Sequence, residues 1–175
     1  KLFKPFFWES NNITSILLSP FSLLVRLIIL IKKTFIKKLT FKIPIICIGN
    51  IYLGGTGKTP LSIFLAQELK NMGKKPTIVK KFYKEHQDEH ELIKINFNSL
   101  ILNKKRSKAI DEAVQKNFDT VILDDGFQDY RIKKDISILC FNQNQLIGNG
   151  KVIPAGPLRE SFSSIKNAQI IIING

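Results

Sequence analysis

Six consecutive residues, Gly54-Gly55-Thr56-Gly57-Lys58-Thr59, carry the clearest chemistry in the chain. They follow an apolar run, IPIICI at 43–48, and precede a segment whose apolar residues recur at helical spacing. That strand–loop–helix setting is what a phosphate-binding loop requires. Glycines let the backbone turn until several N–H groups face one anion, and the helix N-terminus adds partial positive charge. Lys58 is then placed to reach the β- and γ-phosphates of ATP, and Thr59 to offer its hydroxyl to Mg²⁺. The usual first glycine of such a loop is replaced by Tyr52, with Gly49 three residues further back. A glycine-rich turn that binds no nucleotide is the alternative.

A second set of groups closes another apolar run, Val121-Ile122-Leu123-Asp124-Asp125-Gly126. Carboxylates at the C-terminal end of a strand beside a phosphate loop supply ligands to the nucleotide's metal, so Asp124 and Asp125 join Thr59 as candidate Mg²⁺ ligands. Asp and Gly are also common turn residues. Arg159, in the Pro154-Ala155-Gly156-Pro157-Leu158-Arg159-Glu160 turn, is a candidate fork for a phosphate, or else half of a surface pair with Glu160. His86 and His90 stand four apart and would face one metal on a helix, but no third ligand follows from spacing, and a solvated loop accounts for the segment equally.

These groups need a scaffold. Short apolar runs at 43–48, 76–79, 120–123, 136–141 and 169–173 read as strands, with weaker candidates at 93–96 and 100–102. Helical spacing appears at 60–72 and 108–116, a short helix at 161–168, and a polar loop at 80–90. Strands alternating with helices predict an α/β fold of the P-loop NTPase type, a mostly parallel sheet covered on both faces. The division expected is an N-terminal helical segment over 1–42 and a nucleotide-binding domain over 43–175.

The 175 residues carry a formal charge of +13, and the first 42 hold eight lysines and arginines against Glu9 alone. The same stretch is the most apolar, in ITSILLSPFSLLVRLIILI. Ser19 and Pro20 suit a helix start. On a helix, Ser22, Arg26, Lys33 and Lys37 share one stripe, and Leu24, Ile28, Ile31 and Phe35 lie opposite. This predicts an amphipathic helix over 19–38 lying on an anionic membrane surface, its cations toward headgroups, rather than a nucleic-acid contact. The uncharged run is too short for a span and lacks a cleavage signal. A helix packed on another domain is the competing reading. Cys47 and Cys140, each inside an apolar run, are expected as buried thiols.

Taken together the sequence resembles the tetraacyldisaccharide 4′-kinases of lipid A biosynthesis. The resemblance rests on KPFFW near the start, Ile48-Gly49-Asn50 leading into the GGTGKTP loop, Asp124-Asp125-Gly126-Phe127-Gln128, Gly148-Asn149-Gly150, and Val152 through Glu160. It implies ATP-dependent phosphorylation of the 4′-hydroxyl of a lipid disaccharide 1-phosphate, with Mg²⁺, at the cytoplasmic face of the bacterial inner membrane. The family's Gly-Asp-Glu-Pro motif aligns best with Gln87-Asp88-Glu89-His90, which makes Asp88 the general-base candidate. Lys80-Lys81-Phe82-Tyr83-Lys84 stands where the family has Ser-Arg-Gly-Tyr-Gly, and Asp129 where a His is frequent. Family chains continue into a second domain, so this chain is expected to be their N-terminal portion. A membrane-associated nucleotide switch or ATPase, and a catalytically weak paralogue, are the rival functions.

Overall fold

The structure, a computed structural model, describes residues 4–84 and 87–175. Six strands, β1 (Ile45–Gly49), β2 (Pro76–Lys81), β3 (Leu100–Asn103), β4 (Thr120–Asp124), β5 (Ile136–Asn142) and β6 (Ile170–Asn174), form one sheet in the order β3-β2-β4-β1-β5-β6. Every adjacent pair is parallel. β1 and β4, the strands that lead into the glycine loop and the acidic pair, are therefore neighbours, with Ile48 opposite Asp124.

Side chains alternate across a pleated strand, and the two faces bury separate clusters. Ile45, Cys47, Val79, Val121 and Leu123 pack on one face beneath α5 (Arg106–Gln115), with Tyr52, Phe127, Val152 and Leu158 from the loops completing the layer. Ile48, Ile78, Ile122, Ile138 and Cys140 pack on the other beneath α3 (Lys58–Asn71) and α4 (Gln87–Asn96). The buried central strands explain the near-continuous Ile and Val runs. Both cysteines are free and buried.

Two sequence expectations change. The 93–96 run is not a strand but the last turn of α4, where Ile93 is fully buried and Ile95 is exposed. The polar 80–90 segment is not wholly a loop, since β2 runs on through Lys81 and α4 begins at Gln87.

The N-terminal segment folds as α1 (Ile13–Leu17) and α2 (Ser19–Phe35). Asn12 and Ser15 form a reciprocal capping box on α1, and Pro20 sits in the first turn of α2. Among the described residues no helix is long and apolar enough to cross a membrane. The orientation of α2 corrects the expected one. Two members of its polar stripe turn inward, while Arg26 and Lys37 stay exposed: the buried Ser22 hydroxyl donates to Val152 O at 2.7 Å, and Lys33 Nζ pairs with Glu160 at 2.5 Å. Lys33 therefore points at the body of the protein rather than toward headgroups, because a fully buried carboxylate needs a cation. Phe21, Leu24, Ile28, Ile31 and Phe35 are left outward.

Candidate nucleotide site

The glycine loop is shaped from within by Asn50. Its buried Nδ2 donates to Tyr52 O at 2.7 Å, to Gly54 O at 3.2 Å and to Thr56 Oγ1 at 3.1 Å. Asn174, at the end of β6, clamps the far side by donating to Thr56 O at 2.7 Å. Gly57 then enters α3 with φ +79°, a conformation that side-chain-bearing residues resist. Gly49 is needed for a different reason: a Cβ there would come within 2.5 Å of Phe127 Cβ. The loop thus delivers Lys58 and Thr59 to the first turn of α3, whose N-terminus has no side-chain cap.

Two carboxylates face these groups in different ways. Asp125, at φ +55°, turns out of β4. Arg159 Nη1 reaches both its oxygens, at 2.9 and 3.2 Å, and Lys58 Nζ lies 3.6 Å from Oδ1. Arg106 Nη2 donates to its backbone carbonyl at 2.5 Å. Burial alone would raise the Asp125 pKa, but Lys58 and then Arg159 outweigh it and hold the carboxyl below its ordinary value. Arg159, expected as a phosphate fork, lies beside Lys58 and Asp125, and in this structure its Nη1 holds Asp125.

Asp124 is fully buried on the α3 face. Thr59 Oγ1 donates to its Oδ2 at 3.0 Å, and Ser62 Oγ lies 3.0 Å from its Oδ1. Its third partner was not anticipated. Lys80 Nζ makes an ion pair with Oδ2, lies 3.4 Å from Thr59 Oγ1, and pairs with Glu89 at 2.5 Å. Burial would lower the pKa of Lys80, yet Asp124 and Glu89 together hold it above the usual lysine value. The corner between Thr59 and Asp124, expected to hold Mg²⁺, is therefore occupied by an ammonium. The donor set present does not fit a divalent ion at that point, since its oxygens are already engaged with a cation.

The other candidates fall as follows. Asp88 is on the first turn of α4 with its side chain exposed; its neighbour Glu89 is the carboxylate that reaches Lys80. His90 is buried and stacks on Phe82, ring centroids 5.8 Å apart. His86 lies outside the described residues. No group of three His, Cys, Asp or Glu is arranged to hold a metal among the described residues. Asn50, Ser62, Lys80, Arg106 and the Lys33–Glu160 pair were not read as site residues. Of these, only Lys80 left a signal in the sequence: it shares strand parity with the buried Ile78.

A cavity of about 660 Å³ opens beside Asp125 and Arg159. Ile29 and Lys32 of α2, Ile36 just past its end, and Tyr83 line it as well.

The comparisons with known proteins agree with this geometry. A family model described as Tetraacyldisaccharide-1-P 4'-kinase matches residues 14–96 and 87–175. The chain belongs to that family. It is 43% identical over 177 residues to the tetraacyldisaccharide 4'-kinase of Pelagibacter ubique, covering all of this chain and 56% of the relative. The Haemophilus influenzae enzyme of the same name is 34% identical over 97% of this chain and 58% of its own length. Among solved structures, the apo-form LpxK of Aquifex aeolicus in complex with ATP superposes with a TM-score of 0.80 at 29% identity, over 91% of this chain and 58% of that one. The chain thus spans somewhat over half the length of these relatives.

Proposed function

We propose that the protein transfers the γ-phosphate of ATP to the 4′-hydroxyl of a tetraacyldisaccharide 1-phosphate at the cytoplasmic face of the inner membrane. The observation that carries this reading is the cavity between Asp125–Arg159 and α2. It joins the phosphate-handling residues to a helix that presents a long apolar face to solvent, Phe21 to Phe35. A lipid disaccharide asks for that combination: a polar head delivered to cations while its acyl chains stay in a bilayer. Residues 1–42 are proposed as the membrane-facing segment and 43–175 as the catalytic domain.

Phosphoryl transfer is mostly alignment and charge neutralisation. Gly54 to Thr59 are proposed to wrap the triphosphate, with Lys58 as the mobile cation on its β- and γ-phosphates. Arg159, already aimed at Asp125, would exchange part of that grip for phosphate oxygens. Asp88 is the proposed acceptor of the sugar hydroxyl's proton. Mg²⁺ belongs to the nucleotide chemistry of kinases, with Thr59, Asp124 and Asp125 as its expected protein ligands. Lys80 fills the Thr59–Asp124 corner that such an ion would take.

The exposure of Asp88 favours one second reading, a catalytically weak paralogue. A single assay separates the two: the full-length protein in detergent with ATP and tetraacyldisaccharide 1-phosphate, product read by thin-layer chromatography. Turnover that falls about a hundredfold or more in Lys58→Ala and in Asp88→Asn, with unchanged circular dichroism, supports the kinase. Absence of product from folded wild-type protein ends it.

A further inference from the structure

The Lys80 ammonium sits in a cage of oxygens that the strand register creates. β2 and β4 are parallel neighbours with Lys80 directly opposite Asp124, and both residues share the α3 face. Parity therefore sends the lysine inward, where its side chain is only 5% exposed. Its three contacts there are the Asp124 carboxylate, the Glu89 carboxylate and the Thr59 hydroxyl, and the Ser62 hydroxyl bonds the other oxygen of Asp124. This is an oxygen shell around one positive charge, at the foot of the helix that opens the phosphate loop.

We infer that Lys80 is a resident cation of this nucleotide site, standing between Thr59 and Asp124 in place of a divalent ion, so that ATP binds with little dependence on metal. A divalent ion at the same corner would lie against a buried ammonium, and like charges in a poorly solvated place repel strongly. For the ion to enter, Lys80 must leave Asp124 and Glu89 together. The resident ammonium instead gives the site two lysines, Lys58 from α3 and Lys80 from β2, opposite the acids of β4. Lys80 can release Asp124 and turn to a phosphate oxygen without any ion having to arrive.

The inference rests on the nucleotide-binding reading, and the test separates the two. A fluorescent N-methylanthraniloyl-ATP is titrated into the full-length protein in excess MgCl₂ and in excess EDTA, for wild type, Lys80→Ser and Lys80→Met. The expected result is a wild-type Kd that changes by no more than about threefold between the two buffers, while either variant weakens about tenfold or more in EDTA. Lys80→Met keeps the buried stem, so a folding defect in Lys80→Ser does not remove the comparison. A wild-type Kd that weakens about tenfold or more in EDTA overturns the inference. So does metal-independent binding by a folded Lys80 variant, because then something other than this ammonium replaces the ion. Binding by no folded form in either buffer means that the nucleotide reading has failed, and the inference falls with it.

Discussion

Asp125 is the residue whose environment makes the sharpest statement. Two side-chain cations hold its carboxyl ionised below the ordinary value of 3.8, against the opposing effect of burial. A carboxyl with a depressed folded pKa stabilises the native state fully above its unfolded pKa and ceases to as pH falls through the folded one. The difference in urea midpoint between wild type and Asp125→Asn should therefore be constant from neutral pH down to about pH 5 and shrink below 3.8. A difference that instead grows on acidification would contradict the cationic grip. Asp124, one residue away, does a separate job. It faces the α3 side, is buried, and is satisfied by Thr59, Ser62 and Lys80. The sequence shows the two acids as an equivalent pair, and only the positive φ at Asp125 separates their directions.

At the scale of elements, α2 is the informative case. Helical periodicity divides its residues correctly into two faces, but it does not say which face packs. Here Ser22 and Lys33 of the polar stripe found buried oxygens, Val152 O and Glu160, while the apolar stripe remained in solvent. Outward apolar residues with exposed Lys32, Lys37 and Lys38 nearby suit an anionic interface. Sedimentation with phosphatidylglycerol vesicles should show wild type bound and Leu24→Glu/Ile28→Glu released into the supernatant, with its fold unchanged. Equal binding of both forms would remove α2 as the contact. The same helix is pinned by Lys33. Removing that amine leaves the fully buried Glu160 with hydrogen bonds from Gln128 and Tyr130 and the more distant charge of Lys134. Lys33 is itself partly exposed, so Lys33→Ala should cost about 2 kcal/mol of unfolding free energy, read by urea titration, less than for a wholly buried pair. Lys33→Arg should recover most of it.

Across the whole molecule, local patterns were legible and long-range pairings were not. The glycine loop, the strand ending in Asp124 and the alternation of strands and helices depend on residues adjacent in sequence, and each lies where its pattern placed it. The 93–96 run misled because four apolar and polar residues in alternation look alike at the end of a helix and in a strand. Only the buried Ile93 against the exposed Ile95 tells them apart. Strand parity marks Lys80 as inward-facing but not what it meets, because its partner is 44 positions away, on a strand that becomes a neighbour only through the β3-β2-β4-β1 order. The buried thiols follow local pattern again: burial pushes Cys47 and Cys140 each up to about 11, as two cysteines inside apolar strands should be.

Arg159 and Glu160 are consecutive, and their side chains grip opposite objects: the first holds the acid beside Lys58, the second holds Lys33 of the helix. The backbone between them is stitched to the glycine-loop side, with Arg159 N donating to Ile51 O at 2.7 Å and Leu53 N to Pro157 O at 2.8 Å. One peptide unit thus works as a short crank. A tilt of the helix on its support is therefore expected to reach the guanidinium that holds Asp125 without any longer relay in between.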